Sequence, residues 1–122
     1  NVMLGLFTDV TDPTPWNEIY MAEFSSYEYP GQDLDVVAPG VYIVGPYQVN
    51  MGQTSYYYLS GTSMASPHVA GAVALMAQKD PGLINTEAEQ ILEDTALDIY
   101  YPEYMQGSGF ILVDEALAWG SD

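Results

Sequence analysis

A chain of 122 residues has room for one modest domain and not two, and 17 acidic residues against a single Lys79, with no arginine, give it a formal charge of −16. That balance excludes nucleic acid and anionic membrane surfaces as partners, because phosphates need Lys and Arg to neutralise them. A hydrophobic content of 48% excludes a disordered tail, no apolar run reaches a membrane span, and the lack of cysteine excludes disulfide and thiol chemistry.

The acidic residues are scattered, as on a solvated surface. The chain begins at Asn1 rather than Met and shows no signal peptide, so a processed or excised piece of a secreted, extracellular protein is expected. In chain order, the apolar run Asn1 to Phe7 predicts a buried strand. Asp9 to Tyr29, with "TDPTPWNE", reads as turns and surface loop. Leu34 to Ala38 and Val41 to Val44 predict two more strands separated by Pro39-Gly40, then "GPYQVNMGQTS" a loop, and Tyr56 to Ser60 a fourth strand. Ser63 to about Gln78 predicts a helix, with Pro67 in its first turns, where a missing N–H does least harm. Thr86 and Glu89 have the spacing of a capping box, so a second helix is expected to start there, with Glu87, Glu89, Glu93, Asp94 and Asp98 as its solvated face. Asp114 is expected to cap a last short helix stopped by Gly120. Strands alternating with a buried helix indicate an α/β fold.

The chemistry concentrates around Ser63. Gly61 precedes it by two, and the start of a helix offers unpaired N–H groups and the positive end of the dipole to a developing oxyanion. The helix "MASPHVAGAVALMAQ" is apolar on nearly every face, which predicts burial and a rigid support. An ordinary Ser N-cap on a core helix is the plainer alternative. The only histidine, His68, follows five residues later, roughly 140° around the helix axis, so it cannot share a hydrogen bond with Ser63 and reads as a packed residue with local partners. Lys79 lies at the far end. Any base for Ser63 must come from residues outside this chain.

"GTSMASPHVAGAVALM" (61–76) resembles the nucleophile motif of subtilisin-like serine proteases, the subtilases. "NVMLGLFTDV" resembles the strand after that family's oxyanion-hole segment, "MAEFSSYEYPGQDLDVVAPG" its LDVxAPG stretch, and "GSGFILVDEALA" its closing segment, all in the family's order. The resemblance implies that residues 1–122 are the C-terminal part of a subtilase catalytic domain: α/β, parallel-sheet, with a buried central helix, and incomplete without a partner segment. The catalytic Asp, the catalytic His and the oxyanion-hole Asn would lie on an N-terminal subtilase chain, so a heterodimer or nicked enzyme is expected, inactive as this chain alone. Ser63 would be the nucleophile of a serine endopeptidase acting on protein or peptide substrates through an acyl-enzyme. Its own N–H would serve the oxyanion hole, Thr62 would support it, and Met64 would be the oxidation-sensitive neighbour. Ser60 stands where many relatives have Asn, and the Thr11–Met21 loop with Trp16 resembles an insertion. Catalysis would need no cofactor, while a structural calcium or sodium ion beside Asp35 is one alternative to none. A non-catalytic subtilase-like scaffold or binding module is the rival reading, and an autolysis fragment a third. The intact "GTSMASP" disfavours the scaffold.

Overall fold

The structure is a computed structural model that describes residues 19–47 and 51–120 in full and the backbone of residues 2–4 and 48–50. Its elements run β1 (Val2–Leu4), β2 (Ile19–Met21), β3 (Ile43–Asn50), β4 (Gln53–Leu59), α1 (Thr62–Lys79), α2 (Asn85–Asp94), α3 (Glu103–Gln106) and α4 (Val113–Ala118). The mixed helix and strand content agrees with the α/β expectation. β1 falls within the predicted first strand, whose remainder lies outside the described residues, as does Trp16. β2 lies in the stretch read as loop and pairs antiparallel with β1.

The predicted strand Leu34 to Ala38 is an extended segment rather than a named strand. Val37 donates to Gly109 O (2.9 Å) and accepts from Ile111 N–H (3.0 Å), a single parallel bridge to Phe110. Phe110 in turn exchanges two 2.8 Å bonds with Leu97. This pairing needs close backbone approach, and two glycines permit it. Gly107 (φ 60°) lies against the carbonyl of Leu34 and Gly109 (φ 129°) against that of Leu97, where a β-carbon would collide.

The segment "GPYQVNMGQTS" departs furthest from its expected structure. It is not a loop but most of a hairpin, β3 and β4, paired from Ile43↔Leu59 to Asn50↔Gln53 with an irregularity at Pro46/Gln48. Both central turn residues, Met51 (φ 49°) and Gly52 (φ 82°), have the positive φ of a two-residue type I′ hairpin turn.

Two apolar clusters form the core. The larger joins Ala38, Ala65, Ala72, Met76, Ala88, Leu92, Ile111 and Ala116, and so packs α1, α2 and α4 on the extended 36–38 segment. The smaller gathers Ile19, Val37 and Ile99. Buried Gln106 ties the turn before α3 to the second cluster: its Oε1 accepts from Ile99 N–H, and its Nε2 donates to Asp98 Oδ1 and to the Tyr101 carbonyl.

The helix starts differ from the capping expectation. α2 begins at Asn85 with Ile84 as N-cap, and Glu87, not Glu89, reaches back to accept from Ile84 N–H at 3.2 Å. An isoleucine side chain has no acceptor, so only that half of a capping box exists. Asp114 is not the cap of α4 but stands in its first turn behind Leu112, where its charge still favours the helix dipole. α1 buries Ala65, Ala72 and Met76, with Val69 and Val73 packed alongside, on one stripe only. Its other side, including Ala70, Gly71, Ala74 and Leu75, is exposed in this chain. No helix among the described residues is long and apolar enough to cross a membrane.

Candidate active site

The Ser63 turn is built from the base of the hairpin upward. The ladder of β3 and β4 closes at Ile43↔Leu59. Beyond it Ser60 Oγ accepts from Tyr42 N–H (2.9 Å) and Gly61 N–H donates to the Gly40 carbonyl (2.7 Å), so the chain stays fastened as it leaves the strand. Gly61, in an extended conformation, is the N-cap of α1 and makes no side-chain cap. A β-carbon there would meet Met64 Sδ at 3.6 Å, ordinary contact, so crowding is not what selects this glycine.

Ser63 is the second residue of α1, not its N-cap, which removes the plainer alternative for its hydroxyl. Ser63 and Thr62 are exposed, while Met64 is half-buried and donates its N–H to Gly61 O at 3.0 Å. First-turn N–H groups have no intrahelical acceptor, and among the described residues none meets the N–H of Ser63. Pro67 is the sixth residue of α1, further in than the first turn, and its missing N–H leaves the Ser63 carbonyl without its usual i+4 donor. On the flank of the helix a cleft of about 190 Å³ is lined by Thr62, Ala65, Ser66, Val69, Val37 and Ala38; Ser63 stands outside it.

His68 behaves as its position in the sequence suggests. Its Nδ1 donates to the Met64 carbonyl one turn back (2.7 Å), which assigns the ring proton to that nitrogen and fixes the half-buried ring on its own helix. The start of α1 thus presents an exposed hydroxyl with an unengaged N–H among the described residues, and an imidazole committed elsewhere.

Residues 16–117 match the family described as the subtilase family. The chain belongs to the subtilases. It is 43% identical over 95 residues to Subtilisin BL of Lederbergia lenta, an overlap of 78% of this chain and 32% of that protein. Against the Thermophilic serine proteinase of Bacillus sp. (strain AK1) identity is 51% over 76 residues, 62% of this chain and 17% of that one. Among solved structures, fervidolysin from Fervidobacterium pennivorans, a keratinolytic enzyme related to subtilisin, superposes with a TM-score of 0.67 at 32% identity over 81% of this chain and 17% of that chain. This subtilase chain therefore spans less than a third of the length of these relatives.

Away from the Ser63 turn, the structure brings together three carboxylates that the sequence reading kept apart. Asp35, where a cation is one alternative to none, lies with Glu89 and Glu93 so that one oxygen of each falls within 4.8 Å of the others. Glu89 and Glu93, expected on a plain solvated face, stand four residues apart on α2 and share one side of the helix. Burial, then the charges of Asp35 and Glu89, push the Glu93 carboxyl above the ordinary value of 4.5. Oxygen ligands of this kind suit hard cations, although exposed acidic groups also gather where no ion binds. Asp98 shows the opposite effect. Hydrogen bonds from Gln106 and from Tyr100 N–H hold its carboxyl below the ordinary 3.8.

Proposed function

We propose that this chain supplies the nucleophile of a secreted serine endopeptidase and works only with the N-terminal part of a subtilase domain, as a second chain or across a nick. In this reading Ser63 Oγ attacks a peptide carbonyl while a histidine from outside the chain takes its proton and an aspartate orients that histidine. The amine leaves with the proton, and water, deprotonated by the same histidine, then releases the acyl group from Ser63. The Ser63 N–H and the Thr62 hydroxyl stabilise the oxyanion together with an asparagine of the N-terminal part. Met64 is the neighbour through which peroxide would inactivate the site, since a sulfoxide is bulkier and more polar. Protein and peptide substrates follow from the chemistry, and no cofactor takes part in it.

The observation that carries this reading is the state of the α1 start: Ser63 exposed, its N–H unengaged among the described residues, and His68 occupied with the Met64 carbonyl. The test is a fluorophosphonate probe on the protein as isolated, with the adduct located by mass spectrometry. Such probes react with a serine only where a base and an oxyanion hole are assembled. A label on Ser63 that disappears after mild denaturation is the expected result. A folded protein, N-terminal part included, that takes no label would leave the scaffold reading in its place.

A further inference from the structure

We infer that Ser60 is a positioning residue for Ser63, acting through the strained backbone of Tyr42; the inference rests on the reading of Ser63 as a nucleophile. The antiparallel ladder of β3 and β4 ends at Ile43↔Leu59, and its next rung would pair Tyr42 with Ser60. The main chain of residue 60 cannot stay in that ladder, because α1 begins two residues later at Thr62. The side chain takes over instead. Ser60 Oγ accepts the Tyr42 N–H at 2.9 Å, and one residue on, the Gly61 N–H reaches the buried Gly40 at 2.7 Å. One side-chain bond and one main-chain bond thus carry the ribbon across the point where strand becomes helix, and Ser63 follows directly.

Tyr42 gives this arrangement its second, independent mark. Its φ is 50°, a left-handed conformation that a bulky non-glycine residue adopts only where its surroundings over-determine it. Two constraints on Tyr42 come from β4 and its exit: the Ser60 hydroxyl on the N–H, and an edge-to-face contact of its ring with Tyr58 at 5.4 Å between centroids. A serine or threonine hydroxyl at position 60 reaches this N–H, while alanine has nothing to offer it. Ser60 is exposed, so water can replace the lost acceptor. Losing the hydroxyl therefore loosens the turn rather than unfolding the protein. A nucleophile held through that turn is sensitive to looseness, because reacting atoms misplaced by about 1 Å can cost roughly a hundredfold.

The experiment uses the protein expressed with the N-terminal part of its subtilase domain and compares wild type, Ser60→Ala and Ser60→Thr. It reads the second-order rate of fluorophosphonate labelling at Ser63, the pH profile of that rate, and the thermal midpoint. Ser60→Ala should slow labelling about tenfold, within the range expected for partial misalignment, with the midpoint and the pH profile nearly unchanged. Ser60→Thr should restore the rate to within about twofold of wild type, since the hydroxyl that accepts the bond is kept. Wild-type labelling with Ser60→Ala at the same rate overturns the inference. So does a Ser60→Thr protein as slow as Ser60→Ala, or a loss that only tracks a lowered midpoint. A wild-type protein that takes no label overturns the nucleophile reading itself and the positioning role with it, and that outcome is distinct from the other three.

Discussion

Helices α1 and α2 share one core yet follow different rules. α2 is amphipathic in the ordinary sense: Ala88 and Leu92 are buried, while Glu87, Glu89 and Asp94 face water. Its pattern and its burial agree, so nothing more is needed to cover it. α1 has no such agreement. It is apolar almost all round, buries one stripe, and leaves Leu75 47% exposed beside Ala70, Gly71 and Ala74. The charges follow the same division. Residues 36–78, which include the hairpin and nearly all of α1, contain no Asp, Glu, Lys or Arg, although the chain carries 17 acidic residues. α2 is therefore a finished element, and α1 has the composition of a helix built for a second apolar surface. In the account proposed here, that surface is the N-terminal part of the subtilase domain.

The two helices should differ most sharply at the start of α1. Ser63→Ala should abolish probe labelling and peptidase activity in the assembled protein while leaving its thermal midpoint almost unchanged. In a subtilisin, removal of the nucleophile costs about 2 × 10⁶ in kcat. Leu92→Ala in α2 should do the reverse. It should cost about 2–5 kcal/mol in denaturant unfolding, as a cavity at a site only 4% exposed, whether or not the N-terminal part is present. Leu75→Glu separates the two helices more finely. In the isolated chain it should change stability by no more than about 0.5 kcal/mol, as an exposed substitution. In the assembled protein it should destabilise by about 1–3 kcal/mol or more, because it buries a carboxylate without a partner. Equal effects in the two settings would mean that nothing covers this side.

The smallest effect belongs to the carboxylates beside α2. The folded-state pKa of Glu93 is raised above 4.5, so the folded protein holds its proton to higher pH than the unfolded chain does. Stability from this group is fully present below pH 4.5 and is lost as pH rises through the raised value. Glu93→Gln should thus be slightly more stable than wild type at neutral pH and indistinguishable from it near pH 4, measured by urea unfolding across that range. A gain at pH 4 equal to that at pH 7 would contradict the raised pKa that burial and the neighbouring carboxylates give Glu93.

How much of this the sequence disclosed varied with how local the signal was. The α1 start was legible because "GTSMASP" is both a turn-to-helix pattern and a family motif, and the five-residue spacing of Ser63 and His68 excluded their pairing before any geometry was known. The hairpin was missed because its turn places Met51, not the usual Asn, at positive φ before Gly52. Tyr47 and Val49, two apart before the turn, and the β-prone run Thr54 to Tyr58 after it were the signal that could have found it. Leu34 to Ala38 looked like a strand, yet its pairing depends on Gly107 and Gly109 some seventy residues away along the chain, a contact no local pattern encodes. The capping expectation at Thr86 failed by two residues because Glu87 lies within reach of the Ile84 N–H, and nothing in the spacing ranks one glutamate above the other. The Asp35, Glu89 and Glu93 cluster was hidden for the same reason as the strand: it forms only after α2 packs beside the 35–38 segment.

Amide hydrogen exchange over α1, Thr62–Lys79, shows whether the N-terminal part covers this helix. It compares this chain alone with the same chain assembled with the N-terminal part of its domain, α2 serving as the internal reference. The account predicts weak protection of α1 in the isolated chain, rising to the level of global unfolding on assembly. Protection of α1 that is already maximal in the isolated chain, or unchanged when the N-terminal part is added, would contradict it.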